Sequence, residues 1–403
     1  MASPTTNTAN PEIDLLDGPF YIDDPYATFR WMRENAPIYW DSTNELWGVS
    51  RYDDIVAIEK NKSVFINSGN DKGGYRPNIP ADQSIIGLDD PQHTVRRLLV
   101  SRRFTPRAVI NWEGHITDVV ANLLDSALAA GHADVIDDLA APLPAMMIGL
   151  LLGFPDEMWP SLQEWSERTI AMGGGPRYHS TEGITAVLEF AGACEALYHE
   201  KSECPVDDVM SVWVENERSG LRDGSAFGLP QIISDCLLLL DGGAETTRTV
   251  IGRTMLNLAA NPDQWQLLRD GADLDIAVEE FIRYVTPVHN MCRIATEDVD
   301  IGGVRIKAGQ QVVLMYGSAN RDEAHFNEPE TFDITRDPNN HIAFGFGTHF
   351  CLGASLARLE IKKFYEAFRE RVADFSIDGD TVQEMPNAFV YGLKSARIDL
   401  TPA

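Results

Sequence analysis

The sequence predicts a mainly α-helical protein carrying a few small β-sheets. Three observations lead there. Apolar residues recur at helical spacing along most of the chain, strand-like alternation is confined to short pieces, and no linker, repeat or low-complexity run divides the 403 residues. Hydrophobic content of 44% and charged content of 23% match folded globular chains. The length exceeds the usual size of about 100–200 residues per domain. The pattern nevertheless offers no boundary, so one domain over 1–403 is expected, with a core large enough to enclose a bulky cofactor.

Helical periodicity with a polar face runs over 25–36, 105–130, 184–200, 230–260, 276–284 and 352–372. Strand alternation marks 38–40, 47–49, 299–306, 311–314 and 390–400. Within DVDIGGVRIKAG, Gly302 and Gly303 predict a tight hairpin turn. The stretch 315–344 has little periodicity. It is well beyond the roughly 12–15 residues at which structureless connections become uncommon and usually functional. Segments 70–90 and 173–180 (GGGPRYHS) are also irregular, and are expected to form mobile covers over a pocket.

The net charge of −28, from 61 acidic and 33 basic residues, argues against partners bound through bulk positive charge, nucleic acid and anionic membranes among them. Cys194, Cys204, Cys236, Cys292 and Cys351 are odd in number and form no CxxC, against both a disulfide framework and a zinc site. The first residues, MASPTTNTANPEID, lack the basic start and apolar core of a signal peptide. The most apolar stretch, 140–154, contains Pro142 and Pro144 and is too short to span a bilayer. A soluble cytoplasmic protein without a membrane anchor is expected.

One cysteine has an unusual approach. Residues 344–353 read FGFGTHFCLG, and apolar residues resume helical spacing directly afterwards in ASLARLE. Cys351 therefore sits at a helix N-terminus, where amide N–H groups and the positive end of the helix favour a thiolate. Gly345, Gly347 and Gly353 remove side chains where the backbone must approach a flat, bulky group. His349, two residues before the cysteine, can donate to an anionic group on the same ligand. A lone soft thiolate suits a metal already held by four other donors, which points to haem iron.

These ten residues resemble the haem-binding signature of the cytochrome P450 family, Phe-x-x-Gly-x-His/Arg-x-Cys-x-Gly, with every position filled. The resemblance implies Cys351 as proximal iron ligand, with Phe344, Gly347 and Gly353 beside haem b. It also implies the P450 fold, with haem between a long distal helix and the helix after the cysteine loop.

Other motifs agree with it. Gly242 and Gly243 in LLLLDGGAETTR lie inside a helix, where each costs about 1 kcal/mol against alanine. Close approach of a planar macrocycle and room for oxygen would account for them. The segment resembles the family's Ala/Gly-Gly-x-Asp/Glu-Thr motif, which implies that Glu245 and Thr246 pass protons to dioxygen. Glu280 and Arg283 in EEFIRY share a helix face. The resemblance makes them a buried pair tied to Arg336 in FDITR, near the haem but without direct chemistry. It likewise gives Arg293 to a haem propionate. His93 and Arg97, four apart in QHTVRR, resemble the family pair that clamps propionates, for which arginine's bidentate geometry is suited.

The implied reaction consumes O2, two electrons and two protons and inserts one oxygen atom into a C–H bond. No flavin or nicotinamide fingerprint is visible, so the electrons are expected from a ferredoxin served by a separate reductase. Arg96, Arg102, Arg103, Arg358, Lys362 and Lys363 would gather on the proximal face as its docking patch. Apolar segments 80–88, 146–152, 170–175, 238–246, 287–291 and 388–391 are the candidate pocket walls, with Ile85, Ile86, Leu238, Val288, Met291, Phe389 and Val390 expected to line it. GGAETTR, PVHNMCR and AFGFGTHFCLG further resemble bacterial members that oxidise steroid side chains and branched or isoprenoid lipids at a terminal methyl. The alternatives are direct use of hydrogen peroxide, a non-catalytic haem sensor or carrier, and a Cys351–His349 hydrolase. The hydrolase leaves His93, Arg97 and Arg293 without a role.

Overall fold

The apolar run that predicts a helix over 230–260 folds as a long helix in two parts, Leu229–Leu240 and Thr246–Ala260. They are joined by a π-helical turn at Asp241–Glu245, where the two glycines fall. Such wide turns occur mostly at functional sites. The helix crosses the main core, whose buried residues include Ile232, Leu240, Ile251 and Met255 from this helix and Leu143, Ile148, Phe281, Phe364 and Phe368 from its neighbours. The structure is a computed structural model and describes residues 12–69 and 73–403.

The helix after the cysteine loop, Ala354–Arg371, packs against Glu113–Ala130 and Leu274–Val285 and against the second half of the long helix. Side-chain caps fix several helix starts. Ser180 accepts from the amide of Gly183 at Thr181–Glu203, and Asp208 accepts from that of Ser211 at Val209–Ser219. Each cap contributes about 1 kcal/mol.

A five-stranded sheet lies outside this helical body. Its spatial order is Ile38–Asp41, Leu46–Val49, Gln311–Met315, Asn290–Ala295, Phe65–Ile66. Leu46–Val49 and Gln311–Met315 pair in parallel, and the remaining neighbours are antiparallel. A three-stranded sheet joins His132–Asp134, Arg397–Pro402 and Val372–Ile377. The expected hairpin pairs Val299–Ile301 with Val304–Ile306, and both turn glycines take positive φ, 54° and 82°.

The sequence reading departs from the structure in several places, the following among them. The strand Asn290–Ala295 escapes the alternation test because five of its six residues are buried, as in a strand covered on both faces. Pro142 and Pro144 do not interrupt a helix, since they stand in the first turn of Pro142–Leu152, where no N–H is required. Residues 135–152 are long and apolar enough to cross a bilayer, but 78% of them are buried inside the protein. The strand expected over 390–400 divides into Leu393–Ser395 and Arg397–Pro402, with Val390 in an isolated bridge to Val288.

The expected covers are tied down in this structure. Residues 73–90 of the first are described, and 70–72 lie outside the described residues. The Gln311 amide donates to the carbonyls of Gly74 and Arg76, and the Cys292 amide to that of Tyr75. In the second, the Tyr178 hydroxyl donates to the Leu16 carbonyl at 2.8 Å. The aperiodic stretch 315–344 contains one short helix, Tyr316–Ala319, followed by turns whose carbonyls at Asn320 and Pro329 accept from buried Arg283.

Candidate active site

The π-helical turn and the cysteine loop face each other across a cavity of about 1650 Å³, its opening included. Gly242, Gly243, Thr246 and Thr247 line it from the long helix, and Phe344, Gly345, His349, Cys351, Leu352 and Gly353 from the loop. His93 and Arg97 enter from Gln92–Val100, and Arg293 from the strand Asn290–Ala295.

The loop holds its thiol through the backbone. The Cys351 amide donates to the Phe344 carbonyl at 2.9 Å, closing the turn. The amides of Gly353 and Ala354 point at the sulfur. Burial raises the thiol's pKa, while these amides and the guanidiniums of Arg97 and Arg358 oppose the rise. A Cβ on Gly353 would meet nothing within 4 Å, because the position opens onto the cavity. Gly347 takes φ of 70°, and a Cβ there would fall 2.9 Å from the Glu59 carbonyl oxygen. Gly347 therefore makes the turn and does not line the cavity.

At the edge of the cavity the imidazoles of His93 and His349 lie 4.1 Å apart. Both ring nitrogens of His93 are buried without a hydrogen-bond partner. His349 is pushed down to about 2 by burial and by the positive charges of Arg293 and Arg97 and the neighbouring His93. Arg97 donates to the Phe350 carbonyl. A site with orphaned buried donors and positive potential beside a thiol and open glycine positions fits haem b, whose propionates carry the complementary charge.

Arg293 is not free to serve a propionate alone. Its Nη2 donates to Glu59 Oε2 at 2.7 Å, and the Tyr316 hydroxyl donates to Glu59 Oε1 at 2.5 Å. Glu59 and Tyr316 line the cavity, and the sequence reading missed both. It also missed Glu360 and Arg76, which lie on the same walls, and its 238–246 wall contained Asp241 without giving it a role. Asp241 carried a signal, an acid directly after four leucines.

The two glycines differ. A Cβ on Gly242 would enter open space, whereas one on Gly243 would lie 2.3 Å from Ile148 Cδ1. Gly243 is explained by helix packing rather than by macrocycle approach. Thr246 faces the cavity and donates from Oγ1 to the Gly242 carbonyl at 2.7 Å. Glu245 does not face the cavity with it. Its carboxylate is turned away to Arg248, 3.0 Å distant and equally buried, because successive helical residues point about 100° apart. Burial pushes it up to about 7 against the pull of Arg248.

Glu280 and Arg283 are fully buried and joined by two hydrogen bonds of 2.7 Å, with Arg336 Nε donating to the same carboxylate at 3.2 Å. The trio anchors the aperiodic stretch and lies off the cavity. Ile85, Ile86, Leu238, Val288, Met291 and Phe389 line the cavity. Val390 does not; it is buried with Ile170 and Met385.

The expected cationic patch is largely neutralised. Arg96 is buried, pairs with Asp235 and donates to the Gln83 and Gln231 carbonyls, so it belongs to the interior. Arg103 pairs with Asp207, Arg358 with Glu279, Lys362 with Asp275, and Lys363 with Glu113 and Glu366. Among the described residues, only Arg102 of the six is exposed without a carboxylate partner.

Comparison with known proteins agrees with the geometry. The cytochrome P450 family profile matches residues 273–387. A steroid C26-monooxygenase of Mycobacterium tuberculosis is 38% identical over 98% of this chain and 99% of its own length. A linalool 8-monooxygenase of Pseudomonas putida is 31% identical over 96% and 99% respectively. The crystal structure of CYP109E1 from Bacillus megaterium in complex with testosterone superposes with a TM-score of 0.85 at 32% identity, covering 93% of this chain and 97% of that one. The Mycobacterium marinum cytochrome P450 CYP268A2 in complex with pseudoionone gives 0.86 at 30%, covering 97% and 99%. The chain belongs to the cytochrome P450 family and is a haem-dependent monooxygenase.

Proposed function

We propose that the protein hydroxylates an apolar lipid at a terminal methyl, its substrate being a steroid side chain or a branched or isoprenoid chain. The observation that supports this most is the cavity itself, whose substrate side is walled by Ile85, Ile86, Leu238, Val288, Met291 and Phe389. Burial of a lipid chain against such walls contributes about 25 cal/mol per Å². Relatives named for a steroid and for linalool add weight to the class.

Bound here, haem with a thiolate ligand supplies the activation of O2 and the insertion of one of its atoms into a C–H bond. Cys351 would bind the iron, and its amide contacts keep the sulfur oriented. His93, Arg97 and His349 would hold the propionates, with Arg293 shared between them and Glu59. Thr246 holds a proton at Oγ1 on the cavity side, parked on the Gly242 carbonyl. Glu245 stands one step behind it and exchanges with the relay only when its side chain leaves Arg248. A hydroxyl kept for proton delivery favours O2 over peroxide as oxidant.

Electrons come from a redox partner, for which we propose a ferredoxin with its own reductase. With most cations paired, docking would rest on Arg102 together with exposed Leu98 and Phe350, beside the cysteine loop. A cytoplasmic location belongs to the same reading and is supported by five free cysteines.

The test titrates the haem-loaded protein with a panel of steroids, fatty acids and isoprenoids while following the Soret band. Product analysis with a surrogate ferredoxin and reductase follows. Spectral shifts confined to steroids or isoprenoids, with oxygen at the chain end, are expected. Oxidation only of small aromatics would defeat the proposal.

A further inference from the structure

Two polar groups stand in the apolar part of the cavity, and neither is used by the haem site. Arg76 lines it with its guanidinium carbon 4.3 Å from the Phe389 ring centroid, a cation–π contact that fixes its orientation. Its Nε is buried without a partner, and among the described residues no carboxylate lies within 4.0 Å of the guanidinium. Asp241 lines the same cavity, is buried, and accepts one hydrogen bond, from Thr169 Oγ1 at 2.6 Å. The two line the same cavity and are tied to one segment, 169–173. Thr169 belongs to Trp159–Ile170, and the turn after it brings Gly173 against Arg76, where a Cβ would fall 2.3 Å from Nη1. Burial pushes Asp241 up to about 7, opposed chiefly by the charge of Arg76, so the two sense each other without touching.

A buried Nε without a partner and a half-satisfied buried carboxyl are costly in an apolar pocket unless a ligand completes them. Above about pH 7, where Asp241 is ionised, the ligand group must accept from Arg76 and donate to Asp241. A ketone only accepts, and a carboxylate would set a second negative charge against Asp241. A hydroxyl does both.

We infer that Arg76 and Asp241 form a polar anchor for a hydroxyl carried by the otherwise apolar lipid, which holds the chain so that another carbon meets the haem. This rests on the lipid reading above and narrows it to alcohols.

The test compares cholestanol, cholestanone and cholestane, and in parallel farnesol, its parent hydrocarbon and farnesoic acid, by Soret titration of the haem-loaded protein at about pH 8.5, where Asp241 is ionised. The alcohol of at least one skeleton should bind roughly tenfold to a hundredfold tighter than its ketone, hydrocarbon or acid counterpart. Asp241→Leu and Arg76→Met should each abolish that preference while hydrocarbon binding persists. Equal affinities in the unmodified protein, tightest binding of the acid, or a preference surviving both substitutions overturns the anchor and leaves the lipid class standing. The ligand series in the unmodified protein decides the matter even if a variant does not fold. No shift with any skeleton overturns the lipid class and the anchor with it.

Discussion

Replacing Glu280 by Gln tests how the aperiodic stretch is held. The carboxylate accepts five hydrogen bonds. Oε1 receives Arg283 Nη2 at 2.7 Å and the Asp333 amide at 3.0 Å. Oε2 receives Arg283 Nε at 2.7 Å, Arg336 Nε at 3.2 Å and Asn339 Nδ2 at 3.0 Å. An amide has one acceptor oxygen, and its NH2 must face one of these two sets. Whichever way it turns, at least two buried donors lose their acceptor. At about 1–3 kcal/mol per unsatisfied buried donor the loss is roughly 2–6 kcal/mol, in line with the ~3–5 kcal/mol found on breaking a buried ion pair. Urea unfolding of the haem-loaded protein, followed by tryptophan fluorescence, measures it. The thiolate-type carbon monoxide spectrum should fade before global unfolding, since the same stretch leads into the cysteine loop. Glu279→Gln is the control. Of its neighbours Arg358 is partly exposed and His341 is buried, so one or two donors lose their acceptor, at a cost of about 1–3 kcal/mol that stays below that at Glu280. Equal costs for the two substitutions, or Glu280→Gln within about 1 kcal/mol of the parent, would refute the reasoning.

Three further outcomes are expected. Thr246→Ala removes the cavity-facing hydroxyl, so oxygen consumption should continue while product per O2 falls and peroxide release rises roughly tenfold; unchanged coupling would remove Thr246 from the relay. Gly243→Ala drives a methyl into Ile148 Cδ1 and Cγ1 and should cost about 1–3 kcal/mol, a cost that should vanish in an Ile148→Ala background, where both carbons are gone. Gly242→Ala should leave stability unchanged or higher but alter ligand affinity, and equal effects of the two would erase the distinction between packing and cavity glycines. Glu360, buried on the cavity wall, is pushed up to about 8 by burial, with the Thr247 hydroxyl opposing. Its unfolded form ionises near the ordinary glutamate value, so between these pH values the folded state keeps a proton that the unfolded state has lost. Stability should therefore fall as pH rises through this window, by about 1.4 kcal/mol per unit from this group. Glu360→Gln removes the term, and its urea midpoint should gain on the parent's between about pH 5 and about pH 8. A constant difference would count against a neutral buried Glu360.

By itself the sequence determined what depends on neighbours a few residues away. The cysteine loop, the paired glycines of the hairpin at Gly302 and Gly303, and the helices over 25–36 and 276–284 follow from local spacing, because backbone geometry repeats every two or 3.6 residues. The mainly α-helical class with small sheets follows from the same periodicity. Tertiary structure decided how charges are satisfied. Arg96 reads as a surface cation until Asp235, 139 positions away, meets it in the interior. Arg293 reads as a propionate clamp until Glu59, 234 positions away, takes one of its nitrogens. Glu245 and Thr246 are adjacent in the chain yet face opposite environments, and Arg76 and Asp241 line one cavity only because distant segments converge on it. Burying a charge costs several kcal/mol unless a partner is supplied, and the fold, not the local pattern, chooses the partner.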